Sequence, residues 1–181
     1  QRQGEAELER LLAREQHHAV QLQGLASAAL VISEADSVEH VLKAITEQAR
    51  EVIGAHQSVT SLSVEGSWAQ AIHSVSMSDK YGAWRDWKQA TEGTGIYSWV
   101  CRLNLPMRLT QTELETHPAW KGFGRHPGKH PPMRGWLAAP LVGRDGRNLG
   151  LIQLSDRYEG EFSSEDEAIL VQLARMASVA I

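Results

Sequence analysis

The chain has 181 residues, and about 100–200 residues per domain predicts a single domain. Hydrophobic residues make up 42% and charged residues 22%, a globular composition that excludes long disordered or collagen-like segments. A net charge of −4 gives no basic footprint for nucleic acid, and a single cysteine excludes a disulfide framework and a Cys-rich zinc site. Tryptophan is unusually frequent, with six residues against three tyrosines and two phenylalanines, and all six lie between Trp68 and Trp136.

The two ends of the sequence indicate its context. No window is long and apolar enough to cross a bilayer, and the N-terminus lacks the basic-then-apolar order of a signal peptide. These features predict a cytoplasmic location without direct membrane insertion. Both ends lie in helical patterns, and Ile181 follows an apolar run that has no capping residue. We therefore expect a piece of a longer protein, with a helix leaving at each end.

The first predicted element is a helix from Glu5 to about Ile32, roughly 40 Å long. Its apolar residues alternate at spacings of four and three, which is typical of a coiled coil. This stripe comprises Leu8, Leu12, Ala19, Leu22, Ala26 and Ala29, widened by Leu11, Leu25 and Ile32. We expect residues 1–32 to be a connector that forms a homodimer, and packing on the chain's own domain is the alternative. The predicted dimer residues are Leu8, Leu12, Leu22 and Leu25.

A second helix and a hairpin follow. The helix is predicted to begin after Asp36 or Ser37, both good N-capping residues, and to end at Gly54. Two strands, about Ser58–Val64 and Trp68–Val75, alternate in polarity and are joined by a short glycine-containing turn. This half of the chain therefore predicts a helix packed on a hairpin.

The middle of the chain carries most of the tryptophans. A short helix is predicted over Asp79–Gln89 and another over Ile96–Arg102, after the tripeptide Gly93-Thr94-Gly95. A short strand is predicted over Pro106–Leu109. The segment Thr110–Arg134 holds four of the six prolines and is predicted to be irregular. Irregular loops of this length are often functional.

The last third gives the strongest local signals. Strands are predicted over Trp136–Val142 and Leu149–Leu154, on either side of an Asp-Gly turn. Ser163 is predicted to cap the final helix, with Asp166 three residues further on. Because hairpins form antiparallel sheets, the sequence predicts an α+β domain.

The order and spacing of these motifs resemble a GAF domain, over about Leu25 to Ile181. The motifs are the helix Ser37–Gly54, the Gly93-Thr94-Gly95 turn, Gly135-Trp136-Leu137-Ala138-Ala139-Pro140-Leu141, the Asp145-Gly146 turn, Leu149-Gly150-Leu151-Ile152-Gln153-Leu154 and Phe162-Ser163-Ser164-Glu165-Asp166-Glu167. The loop from His126 to Trp136 is similar to that of GAF modules in bacterial multidomain sensor histidine kinases.

The resemblance implies a PAS-related α+β fold. It implies a central antiparallel sheet of five or six strands, N- and C-terminal helices packed on one face, and a pocket of loops and helices on the other. The GAF domain would span residues 33–181, with helix 164–181 leading to an output domain. The implied role is a sensory module of a bacterial signal-transduction protein, which by family habit is a sensor histidine kinase. The module itself is not expected to be an enzyme. A ligand-free scaffold for dimerisation and signal transmission is the alternative.

Nucleotide-binding members of the family carry an Asn-Lys pair, a Phe and an Asp-Glu pair. Phe162 and Asp166-Glu167 match that pattern in spacing, whereas Asp156-Arg157 occupies the Asn-Lys place. This departure disfavours a cyclic nucleotide as ligand. We expect instead a structural ion pair between Arg157 and Asp166.

Other family chemistries are also disfavoured. Cys101 is the only thiol and lies in a predicted helix, which favours a buried core cysteine over covalent bilin attachment. One cysteine cannot run the two-thiol cycle of the free methionine sulfoxide reductase branch. His117, His126 and His130 lie in the irregular loop, and no carboxylate lies close to the last two, so neither haem nor a metal site is expected. The cofactor, if there is one, is left unidentified.

The tryptophans allow two interpretations. Core filling and loop anchoring is the one that the sequence favours for such amphipathic rings. The alternative is an aromatic-lined pocket for a planar or cationic molecule, or for an anion if Lys129 and Arg134 supply charge. The residues that would line such a pocket are Trp84, Trp99, Cys101, His117, Trp120, Arg134, Trp136 and Gln153. Rings that border an open cavity would favour a sensor, and rings that fill it would favour a scaffold.

Overall fold

The computed structural model describes residues 1–88, 91, 93–120 and 130–181. Within these ranges it contains five α-helices, five strands and one 3-10 helix. In chain order they are α1 (Arg2–Glu34), α2 (Val38–Ile53), β1 (Ala55–Ser63), β2 (Gln70–Met77), the 3-10 helix (Asp79–Trp84), α3 (Tyr97–Leu103), β3 (Met107–Leu109), α4 (Gln111–Thr116), β4 (Trp136–Val142), β5 (Asn148–Arg157) and α5 (Ser164–Ala180).

The five strands form one antiparallel sheet in the order β2-β1-β5-β4-β3. The hairpin β1-β2 and the hairpin β4-β5 join through the pairing of β1 with β5, in which Val59 lies opposite Gln153. The predicted α+β class and antiparallel sheet are confirmed, with five strands. Strand β5 occupies the centre of the sheet and so contacts both layers that cover it.

One face of the sheet is covered by α1, α2 and α5. Helix α2 begins at Ser37, whose hydroxyl accepts a hydrogen bond from the His40 amide, and ends at Gly54 with φ 82°. The buried cluster between these helices and the sheet, here called the terminal-helix cluster, contains residues such as Leu42, Ile45, Leu137, Ile152 and Leu170. Burying one such side chain contributes about 1.5–3 kcal/mol, so this layer carries much of the stability of the fold.

The other face is covered by α3 and α4. Side chains alternate along β4, so Leu137 lies in the terminal-helix cluster while Trp136 and Ala138 point the other way. They join a second buried group, here called the α3 cluster, which comprises Ile96, Val100, Cys101, Leu114, Ala119, Trp136, Ala138 and Leu151. The sheet thus separates two cores, with the terminal helices on one face as predicted.

The buried residues of α1 lie in its second half. Ala28 and Ile32 are buried there, and a side chain added at Gly24 would lie 3.1 Å from Val52 of α2. Leu25 is partly buried against the terminal-helix cluster. The other three predicted dimer residues are exposed: Leu8 by 57%, Leu12 by 54% and Leu22 by 63%. No helix in the described ranges is long and apolar enough to cross a membrane.

Two predictions of local structure were wrong. The helix predicted from Asp79 is a 3-10 helix over Asp79–Trp84, which Tyr81 interrupts with non-helical geometry (φ −120°, ψ 32°). Helices of this type are usually short. The segment predicted to be irregular contains α4, which begins with a capping box between Thr110 and Glu113. That Thr-x-x-Glu pattern is a helix-start signal that the proline content obscured.

Candidate functional site

A cavity lies on the face of the sheet opposite the terminal helices. It has about 20 Å³ of free space, which is room for about one water molecule, and it is partly open to solvent. Its lining includes Gln57, Val59, Trp87, His130, Trp136 and Gln153. Small-molecule sites usually measure about 300–1,000 Å³, so this cavity is far smaller than such sites.

The floor of the cavity is built by neighbouring strands. Trp136 of β4 is completely buried, and its Nε1 donates a hydrogen bond to Gln153 Oε1 of β5 at 3.0 Å. Because this bond occupies the amide oxygen, the amide NH2 group of Gln153 is the donor that the floor offers to a bound molecule. Sequence analysis placed Trp136 and Gln153 in one pocket, and the structure brings them together.

The rim of the cavity is formed by two rings from separate segments. The Trp87 and His130 rings meet edge to face with centroids 4.7 Å apart. His130 Nδ1 lies 2.7 Å from the Pro131 carbonyl oxygen, and burial lowers the pKa of His130 despite this contact. The imidazole is therefore neutral at pH 7, and the rim is aromatic rather than cationic.

The segment after His130 is tied to the sheet by strand side chains. Gln57 Nε2 of β1 donates to the Pro132 carbonyl at 2.5 Å. Ser155 Oγ of β5 donates to the Gly135 carbonyl at 2.9 Å and accepts from the Arg134 amide at 2.9 Å. The cavity wall is thereby connected to the two central strands.

Six other residues predicted for the pocket are not in the described lining of this cavity. They are Trp84, Trp99, Cys101, His117, Trp120 and Arg134. Trp99 is 39% exposed, and its ring lies edge to face against His117 with centroids 5.0 Å apart. Trp120 packs at the edge of the α3 cluster, and Arg134 is exposed. His126 and Lys129, which were also considered, lie outside the described residues.

Cys101 lies in the α3 cluster and is completely buried. Burial raises the pKa of its thiol to about 11, against the smaller effect of contacts with Ser63 and Asn148. The side chain is therefore a protonated thiol at neutral pH. It behaves as a small apolar core residue rather than as a nucleophile.

Several lining residues were missed by sequence analysis. Gln57, Val59 and Ser155 belong to β1 and β5, and their side chains line the cavity. The available signal was the presence of the polar residues Gln57 and Ser61 at alternating positions of β1, both of which are buried. A strand whose buried positions are polar indicates a face that is not simply core.

A second polar cluster lies where β5 ends. The Asp156 carboxylate is 2% exposed, and its Oδ2 accepts hydrogen bonds from Lys80 Nζ at 2.5 Å and from Tyr81 OH at 2.7 Å. Burial alone would raise the pKa of Asp156, but these two hydrogen bonds and the Lys80 charge outweigh it and lower the pKa. Asp156 is therefore an ionised, buried carboxylate.

The next residue reaches the final helix. Arg157 Nε donates to Asp166 Oδ2 at 2.9 Å. Asp166 is also the third residue of the α5 capping box, where it accepts from the Ser163 amide at 2.8 Å. The structure thus contains the ion pair expected from the sequence, joined to the first turn of α5.

Within the described ranges, no three or more His, Cys, Asp or Glu side chains are grouped so that they could hold a metal ion. The fold and cavity define a class: a small α+β domain whose antiparallel sheet separates a cavity from a layer of terminal helices.

The GAF domain model matches residues 37–181, and the chain belongs to the GAF domain family. The GAF domain of a Coxiella burnetii phosphoenolpyruvate-protein phosphotransferase is similar, with TM-score 0.71, 20% identity and coverage of 88% of this chain and 92% of that one. So is free methionine-R-sulfoxide reductase from Neisseria meningitidis, with TM-score 0.70, 15% identity and coverage of 89% and 87%. A putative GAF sensor protein from Burkholderia vietnamiensis has TM-score 0.67, 11% identity and coverage of 90% and 93%.

These similarities confirm the GAF fold. They do not single out histidine kinases, because the similar structures come from varied bacterial proteins, so the narrower resemblance stays a prediction. GAF domains are typically small-molecule sensing or regulatory modules in signalling proteins.

Proposed function

We propose that this domain is the sensory module of a bacterial signal-transduction protein, and that it binds a small molecule in the cavity. The observation that carries the proposal is the position of β5. Its Gln153 and Ser155 side chains line the cavity, while Ile152 and Leu154 belong to the terminal-helix cluster. A change at the cavity therefore acts on a strand that packs directly against α2 and α5, on which α1 packs in turn.

The lining supports a small molecule with a flat ring and a hydrogen-bond acceptor. Trp87 and Trp136 supply aromatic surfaces, and the Gln153 amide supplies a donor. Because the cavity is narrow, such a molecule must separate the Trp87 and His130 rings to enter. Binding would then favour an open arrangement of the rim over the closed one, which is the differential interaction that a sensor requires.

The signal would leave through the terminal helices of a homodimer. Leu8, Leu12 and Leu22 form an exposed stripe with coiled-coil spacing on α1. Leu25 packs on the domain itself, so we place it at the junction between the connector and the domain. The division into a connector of residues 1–32 and a domain of residues 33–181 stays a prediction. A sensor histidine kinase is our proposed host.

We propose no catalytic activity for the domain itself. Its single thiol is buried in the α3 cluster with a pKa of about 11, outside the described cavity lining. For the same reason a covalent bilin is not proposed. Asp156, in the place of the asparagine of nucleotide-binding members, is engaged by Lys80 and Tyr81 rather than facing the cavity, so a cyclic nucleotide is not proposed either.

The ligand proposal is tested by native mass spectrometry of the protein purified from its own host, followed by thermal-shift assays with a metabolite panel. We expect an added mass that Gln153→Leu abolishes and that Gln172→Leu, an exposed glutamine on α5, retains. A clean unliganded mass with no thermal shift across the panel would reject the sensor.

The dimer proposal has a separate test. Sedimentation of the full chain should give a dimer that Leu12→Lys dissociates, because a lysine on the stripe places two charges in the interface. Ala13→Lys, one residue away and off the stripe, is the matched control and should stay dimeric. A monomer at high concentration in the unmodified chain would remove the proposal.

A ligand-free scaffold is the second candidate, and one observation favours it. Trp136 is completely buried with its Nε1 hydrogen-bonded, so this ring already fills the cavity floor. A scaffold would retain the dimer and would show no added mass, with or without the Gln153 replacement. The native mass spectrometry and thermal-shift experiment above therefore separates the candidates.

A further inference from the structure

Three consecutive residues at the end of β5 contact three different parts of the molecule. Ser155 is hydrogen-bonded to the cavity wall at Gly135. Asp156 accepts from Lys80 and Tyr81 of the 3-10 helix, and Arg157 donates to Asp166 in the first turn of α5. The strand end is therefore a junction between the cavity side and the terminal-helix side.

The backbone at this junction has an unusual conformation. Asp156 has φ 60°, in the left-handed region that residues other than glycine seldom occupy. Its amide donates to the Arg134 carbonyl at 2.8 Å, which fixes the turn of the chain between Ser155 and Arg157. Such a conformation persists when surrounding contacts determine it, and here the contacts are the two donors on the buried carboxylate.

The 3-10 helix also leads to the cavity rim. The Trp87 amide donates to the Trp84 carbonyl at 3.0 Å, and the Trp87 ring forms one side of the rim against His130. Trp87 is thus connected to the end of the element that holds Lys80 and Tyr81. Their shared partner, Asp156, is adjacent in sequence to the residue that anchors α5.

We propose that Asp156 and its two donors, Lys80 and Tyr81, form a clasp. Through this clasp, movement of the cavity rim changes how well ordered the first turn of α5 is. Opening of the rim draws Lys80 and Tyr81 away from the carboxylate, the left-handed turn relaxes, and Arg157 loses its fixed position against Asp166. This names the regulatory route of the proposed sensor and rests on that function.

The test is hydrogen–deuterium exchange of the full chain without ligand. Lys80→Met should raise exchange about tenfold in the 3-10 helix and also in the first turn of α5, because the buried carboxylate loses a charged donor. Arg157→Met should raise it in α5 alone. The central amides of β4 should not change. Lys43→Met, which removes an exposed lysine of α2, is the matched control and should leave both segments unchanged.

A response confined to the 3-10 helix would overturn the clasp, as would additive effects of Lys80→Met and Arg157→Met in α5. Asp156→Asn is a second variant in case Lys80→Met fails to fold, since asparagine also tolerates left-handed backbone. It should raise exchange in the same two segments as Lys80→Met. Because no ligand is used, the clasp and the sensor fail separately. A missing α5 response rejects the clasp alone, whereas a clean unliganded mass rejects the sensor alone.

Discussion

The two faces of the sheet are covered by different kinds of buried side chains. In the described part of the chain, the terminal-helix cluster contains twenty buried hydrophobic residues and the α3 cluster eight. The α3 face also holds buried polar side chains: Gln57 donates to the Pro132 carbonyl, and Ser61 donates to Gln70. The terminal-helix face buries Thr46 and Thr60, whose hydroxyls are hydrogen-bonded at 2.6 Å, within its larger apolar core. One face is therefore a larger and mainly apolar core, and the other combines a smaller core with polar groups and a cavity.

The two layers therefore differ in what they can contribute. Apolar burial is non-directional and close packing leaves little empty space, so the terminal-helix face supplies stability. Fixed amide and hydroxyl groups are directional and cost free energy to bury, so their presence beside a cavity is what recognition of a ligand needs.

The largest expected effect tests the core face. Leu42→Ala removes a side chain that is 1% exposed in the terminal-helix cluster and should cost about 2–5 kcal/mol of unfolding free energy. Met133→Ala, at the partly buried cavity edge, should cost about 1 kcal/mol. Urea denaturation measures both. Equal losses would contradict the division between the faces.

The reactivity of the Cys101 thiol tests whether the α3 cluster excludes solvent. With a thiol pKa of about 11 and no exposed surface, its reaction with Ellman's reagent at pH 8 should be about 100-fold slower in the folded chain than in urea. Ser33→Cys in the Cys101→Ser background places a thiol on the exposed face of α1 and should react at the unfolded rate. Fast labelling of Cys101 would show that the α3 cluster opens readily.

The element order could be predicted because its signals are local. Ser37 and Gly54 bound α2, Ser163 and Asp166 form the capping box of α5, and the Asp-Gly turn joins β4 to β5. Each of these patterns acts within four residues, so the sequence contains it in full.

The cavity could be predicted only in part, because long-range contacts build it. Trp136 and Gln153 lie on paired strands, and that hairpin was recognisable. The contact of Gln57 with Pro132 joins residues 75 apart, and that of Lys80 with Asp156 joins residues 76 apart. No local pattern encodes either contact, so neither the rim nor the clasp could be predicted from the sequence.

The Asp156 cluster bridges the two faces and should show a pH dependence. Asp156→Asn should cost about 1–3 kcal/mol at pH 7, because a charged hydrogen-bond acceptor is lost. Since the pKa of Asp156 is lowered in the folded state, its contribution is complete above the unfolded value near 3.8 and is lost as pH falls through the folded value.

Urea denaturation between pH 7 and pH 3 checks that dependence. The stability difference between the unmodified chain and Asp156→Asn should narrow below about pH 4. Asp79→Asn, which changes a fully exposed carboxylate of the 3-10 helix, is the matched control. A difference that stays constant down to pH 3 would show that the Asp156 charge contributes nothing.

The smallest expected effect is the loss of stability when a helix-capping box is removed, and the chain has one such box on each face of the sheet. Capping boxes begin α5 at Ser163 and α4 at Thr110. Ser163→Ala should cost about 1 kcal/mol of global stability, because α5 belongs to the terminal-helix core and unfolds with it. Thr110→Ala should cost less in urea but should raise hydrogen exchange within α4, since this six-residue helix buries only Leu114 and can open locally. Equal losses of unfolding free energy, with no change in exchange at α4, would mean that the two faces unfold as one unit. A sensor whose cavity side cannot open separately from its core could not admit a ligand past Trp87 and His130.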